Sequence, residues 1–257
     1  MNHRVEGRGA AGLGFAWLLG AMAVAGLAAG CAEHVPGVRV DFEAGIEAGS
    51  TPVDGPLRLQ DGTGRDVRLQ RAVVVLERLE LVPCDAAADA GSETAWLSRW
   101  LGVPVARAHG MGSPTRLAVP HVVDLAGPGP WPLGRLEPPA DRYCALEVTL
   151  GPADEDAEGL SDAAAALGRS LWLQGRMLDA AGGEQPFDIV SGRRVSRRLP
   201  LPGGGLRLDA ERLTARLTLR FAPADWLADV DLADGDPAER SRAVLQAVLA
   251  SLRLDVR

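Results

Sequence analysis

His109, Met111 and His121 are the one group of imidazole and thioether side chains that falls close together in the body of the chain. Imidazole with thioether is a ligand set that suits copper, and Cu(I) favours the softer sulfur donor. The three can share one metal ion only if the loop carrying His109 and Met111 folds back on the strand that follows Pro120. Without that fold-back they read as a surface histidine beside a loop or core methionine. A second candidate lies at Asp154, Asp156, Glu158 and Asp162, which match acidic positions of a calcium-loop template with Gly159 at its turn. Ala165 stands where the template needs a bidentate Glu, so the favoured reading is a solvated acidic loop and the alternative a weak calcium site.

Enzyme chemistry finds little to work with. No G-x-S-x-G elbow, H-E-x-x-H pair or phosphate-binding loop with its Lys is present, and Gly110 to Pro114 reads as a flexible glycine-rich loop. The sequence therefore predicts a protein that is not an enzyme. A formal net charge of −7 excludes the basic footprint that nucleic acid demands.

Cys31 closes Leu27-Ala28-Ala29-Gly30-Cys31, directly after an apolar run preceded by Arg4 and Arg8. That is the pattern of a bacterial lipoprotein signal: residues 1–30 are removed and Cys31 is lipidated. The competing reading is an uncleaved anchor, because the run approaches the roughly 20 residues that span a bilayer. Ala32 replaces the Asp that usually retains such proteins at the inner membrane. The expected location is thus the outer membrane of a diderm cell, with the domain in the periplasm or at the cell surface. Its expected partners are the membrane, through the lipid, and an envelope protein. In an oxidising compartment the remaining pair, Cys84 and Cys144, is expected to form a disulfide. Two thiolate metal ligands are the alternative.

These groups are positioned by a chain that reads as many short strands. Residues 31–55 read as a tether that enters the domain as an edge strand at Val38 to Phe42, and residues 56–257 as one β-sandwich domain. Leu57 to Gln60 and Val67 to Gln70 flank the turn cluster Asp61-Gly62-Thr63-Gly64, a hairpin pattern. Ala72 to Val82 reads as a long central strand. Strand-like segments recur at residues 115–117, 121–125, 143–150, 170–178, 187–190, 194–199 and 213–221, with Pro and Gly between them. Trp96 and Trp100, four apart, predict a short helix in the long loop after Cys84, either packing on the core or presenting a ligand platform. Asp236-Pro237-Ala238-Glu239 has an N-cap acid, Pro at N1 and Glu at N3, and Val244, Leu245, Val248, Leu249 and Leu252 follow at helical spacing. The predicted fold is all-β: an antiparallel β-sandwich with a C-terminal helix and a short helix in a long inter-strand loop.

Within that plan, the stretch Pro139-Ala140-Asp141-Arg142-Tyr143-Cys144-Ala145-Leu146-Glu147-Val148-Thr149-Leu150-Gly151-Pro152 resembles the signature strand of the MbnP-like, copper-associated family of secreted β-sandwiches. Ala72 to Val82 and Pro223-Ala224-Asp225-Trp226-Leu227 are compatible with the same plan. The resemblance implies an exported binding protein that handles copper beside an electron-transfer partner. It implies no catalytic residue. The chain departs from the pattern in having two cysteines after Cys31, where the family often has more.

Overall fold

The computed structural model describes residues 37–47, 56–84, 113–178 and 182–257. The signal segment, Cys31, the Trp96 and Trp100 segment, His109 and Met111 lie outside the described residues.

Two sheets enclose one core. The larger is built along β3 (Asp66–Pro83), whose length lets it pair with several strands in succession. On one edge β3 pairs with β8 (Leu171–Leu178) through its first half and with β7 (Asp141–Leu150) through its second. On the other edge it meets β2 (Leu57–Gln60), β5 (His121–Asp124) and β4 (Arg116–Leu117). The strands β9 (Glu184–Ser191) and β10 (Val195–Pro200) extend the sheet beyond β8 and β7, and β11 (Leu206–Leu208) also pairs with β7. The smaller sheet has the order β13 (Arg253–Val256), β12 (Thr214–Phe221), β1 (Arg39–Ile46) and β6 (Trp131–Leu136). The fold is the predicted all-β sandwich.

Alternation explains which face each strand buries. Val40, Phe42 and Ala44 of β1 and Leu217, Leu219 and Phe221 of β12 point into the core with Leu69, Val74, Leu76 and Leu146 of the larger sheet. The run from Ala72 to Leu76 is apolar throughout because both faces of β3 are covered there. Val74 enters the main core, while Val73 and Val75 lie beneath the 151–170 excursion with Ala153, Ala157, Ala166 and Trp172.

Four sequence expectations change. The segment expected to be a tether with an edge strand contains β1, an interior strand with β12 on one side and β6 on the other, so the folded domain begins before residue 56. Its pairing with β12 is parallel, an exception to the antiparallel plan. The strand β6 was not expected, since Pro132 and Gly134 disguise it. The acidic stretch after Asp154 leads into a 3-10 helix at Leu160–Ala166.

The helix α1 (Pro237–Ala250) has the predicted cap: the Asp236 side chain accepts from the Ala238 N–H at 3.1 Å. Val244, Leu245, Val248 and Leu249 are buried, and the helix packs against both β9 and β10, bridging the two ends of the larger sheet. Cys84 and Cys144 are bonded, with their Cα atoms 4.7 Å apart: Cys84 follows Pro83 at the end of β3, and Cys144 is the β7 residue passed over where the register shifts between Val82 and Pro83. Bonded sulfurs are not available as thiolate metal ligands.

Candidate functional site

Pairing with Leu76 fixes His121 at the start of β5. The side chain points to the same face as Val123, toward the interior, and is 8% exposed. Leu117 and Gly134 of β6 lie nearby: a Cβ added at Gly134 would stand 4.0 Å from His121 Nε2. The other edge of β5 is met by the acidic loop. The Glu158 N–H donates to Pro120 O and its carbonyl accepts from the Val122 N–H, both at 2.8 Å, a one-residue parallel bridge. Gly159 makes this approach possible, with φ of 79° and a Cβ position only 2.6 Å from Val122 O.

The bridge brings Glu158 Oε2 to 3.3 Å from His121 Nδ1. Burial lowers the imidazole pKa from its ordinary 6.5, and the neighbouring carboxylate offsets only part of that effect. The ring is therefore neutral at neutral pH. A carboxylate beside Nδ1 favours the proton on that nitrogen, which leaves the lone pair on Nε2. A cleft of about 350 Å³ opens beside the pair, walled by Trp131 and Pro132 of β6. Asp124 also lines it, but its Oδ1 accepts from the Ala72 and Ala126 N–H groups at 3.1 Å and is committed to the turn.

The predicted site residues are thus divided. Of the copper candidates, His121 is buried and oriented, and His109 and Met111 lie outside the described residues. Among the described residues no three His, Cys, Asp or Glu side chains gather as a metal cluster. The calcium-like set does not assemble from Asp154, Asp156 and Glu158. Asp154 Oδ1 accepts from the Asp156 N–H at 3.2 Å, and Glu158 is drawn to His121. Asp162 falls inside the 3-10 helix, not in a coordinating loop. Sequence reasoning missed the Glu158 and His121 pairing and the Trp131 wall. Only the glycine after Glu158, read as a calcium-loop turn, hinted that the loop makes a close approach.

No protein-family model matches this chain, and no curated protein does. Among solved structures, MbnP from Methylosinus trichosporium is similar over 81% of this chain and 86% of that one, at 12% identity and a TM-score of 0.37. This is a weak, partial likeness to the family that the β7 segment resembles. It transfers no residue role to this chain.

Proposed function

We propose that this is an exported, non-enzymatic lipoprotein, lipidated at Cys31 and held at the outer membrane, whose β-sandwich binds a transition metal, copper first. The observation that carries the reading is His121: a buried, neutral imidazole with Glu158 against Nδ1 and a cleft alongside. A carboxylate behind a ligating histidine fixes the ring and raises its basicity, the common outer-shell arrangement at metal sites. His121 would supply one nitrogen ligand, with His109 and Met111 the nitrogen and sulfur donors that complete the set. Copper bound there would supply a soft, redox-capable centre. The disulfide supports export, since such bonds persist in oxidising compartments. The carboxylate beside His121 is 66% exposed, which supports binding over a hydrolytic dyad, where a buried orienting acid would be needed.

The test is a Cu(I) titration of the full chain under a competing chelator, repeated with His121→Ala, His109→Ala and Glu158→Gln. The two alanine variants should lose most of the affinity and Glu158→Gln should lose about tenfold or more. Equal affinity in all four proteins would reject the metal site and favour a structural or scaffolding protein of the cell envelope. In that case the His121 and Glu158 pair serves only to pin the 151–170 excursion to β5. For the anchor, Cys31→Ser should release the protein from the outer-membrane fraction or leave an unprocessed precursor. Mature Cys31→Ser protein still in that fraction would refute lipidation.

A further inference from the structure

The outer face of the smaller sheet carries a second cleft, and its lining runs against the charge of the chain. Alternation that sends Ala215, Leu217 and Leu219 into the core turns Arg216, Thr218 and Arg220 outward, and the parallel register sets them beside Asp41, Glu43 and Gly45 of β1. The loop before β6 rises beside this face, with the Trp131 ring packed over Gly129, where a Cβ would lie 2.6 Å from the indole. Between them is a cleft of about 330 Å³, with Gly45 and Thr218 at its floor, Trp131 as one wall and Arg216, Arg220 and Arg257 around it. That volume is within the range of small-molecule sites.

Three arginines line this cleft against one side-chain carboxylate, Glu43, in a chain of net charge −7. Glu43 stands 3.6 Å from Arg216, and Arg220 pairs with Asp255. The Arg257 guanidinium, the Thr218 hydroxyl and the Trp131 indole N–H have no hydrogen-bond partner among the described residues. Three donors without a partner in one concavity call for a ligand that brings acceptors. Gly45 is the strand position that keeps the floor open. A Cβ there would meet only Thr218 Cγ2 at 3.9 Å, so the glycine is not imposed by crowding and a longer side chain would fill the cleft.

We infer that this cleft binds a small organic carboxylate with a flat apolar body. The carboxylate meets Arg257 and Thr218, and the body lies against Trp131 and Ile46, which also lines the cleft. The guanidinium fork matches a carboxylate in two parallel hydrogen bonds. Inorganic phosphate would satisfy the same donors but leave the indole wall unused.

The inference is independent of metal binding at His121, and the test uses variants away from Trp131 and Gly127, which line both clefts. Calorimetric titration of the full chain, disulfide intact, with benzoate should show saturable one-to-one binding, and inorganic phosphate should bind more weakly. Gly45→Leu and Arg257→Gln should each weaken benzoate by about tenfold or more, equivalent to the loss of one charge-assisted contact. His121→Ala should leave benzoate binding unchanged. Arg257 is an exposed residue, so Arg257→Gln keeps the test valid if Gly45→Leu fails to fold. An absence of saturable binding, phosphate bound as tightly as benzoate, or unchanged affinity in Arg257→Gln would overturn the inference.

Discussion

Glu158 Oε2 lies 3.3 Å from His121 Nδ1, and the two residues are held together by a single parallel bridge between a loop and β5. A charged, exposed carboxylate thus stands against a buried ring that is kept neutral by its surroundings.

The sign of the resulting pH dependence follows from burial. The folded pKa of His121 is lowered below the 6.5 of an unfolded chain, so the unfolded state binds the proton more readily. The stability associated with the neutral ring is complete above about pH 6.5 and declines as pH falls from there through the folded pKa. Titration of the imidazole C–H signals by NMR should give a midpoint below 6.5. Glu158→Gln, which removes the offsetting charge, should lower it further. A midpoint at or above 6.5 in the native protein would contradict the burial argument.

Asp61 should govern stability at lower pH. Burial alone would raise its pKa, but hydrogen bonds from the Arg65 side chain, Thr63 and the backbone overcome that and bring it from 3.8 to about 2. Its Oδ2 meets Arg65 Nη2 at 2.7 Å, and Arg65 also pairs with Asp231, tying the β2–β3 turn to the segment before α1. A depressed folded pKa contributes stability that is present above the unfolded pKa and lost as pH falls from about 4 toward 2. The contribution is about 2 kcal/mol. Asp61→Asn should destabilise the domain by about 2 kcal/mol in denaturant unfolding at pH 7, because Arg65 loses its buried carboxylate partner in the turn and keeps only Asp231. It should also flatten the acid limb of the stability curve. A variant with the native acid limb would show that other carboxylates carry it.

Cys84 and Cys144 close a loop of 60 residues. In the chain-entropy model such a loop contributes about 4 kcal/mol by restricting the unfolded chain, part of which native strain can remove. The Cys84→Ser, Cys144→Ser double variant should therefore unfold at clearly lower denaturant concentration than the oxidised protein. A non-reduced digest should yield one linked peptide pair. Two free thiols in that digest, or an unchanged unfolding midpoint, would count against a stabilising bond.

How far the sequence exposed this architecture depended on whether the signal was local. The hairpin at Asp61, the α1 cap at Asp236 and the strands carrying Val73 and Leu146 rest on neighbours a few positions apart, and all were legible. Whether a strand has one neighbour or two is decided by distant pairing. Alternation in Val38 to Phe42 revealed a buried face, but it could not reveal that β12 would lie parallel on one side and β6 antiparallel on the other. Pro132 and Gly134 concealed β6, and with it the Trp131 wall. Glu158 read as a calcium ligand because its spacing fits a template. Its actual partner, His121, is set by the loop covering Val73 and Val75, a packing demand invisible in local spacing.

Closure of the larger sheet by α1 gives the last prediction. The orphan carbonyls at a helix C-terminus carry partial negative charge, which a cation can satisfy. Arg197 of β10 does this across the fold: its Nη1 donates to Leu249 O at 3.0 Å, to Ala250 O, and to Leu252 O at 3.4 Å. The contact fastens the end of α1 to one end of the sheet, while Asp236 fixes the start of the helix. Arg197→Ala should cost about 1–2 kcal/mol, in the range for hydrogen bonds to a charged group, and Asp236→Ala about 1 kcal/mol for a lost N-cap. The decisive measurement is hydrogen exchange along residues 237–250. Arg197→Ala should speed exchange at the last turn, near Ala250 and Ser251, and Asp236→Ala at the first turn. Unchanged protection at the last turn in Arg197→Ala would show that burial of Val248 and Leu249 alone holds the helix against β10.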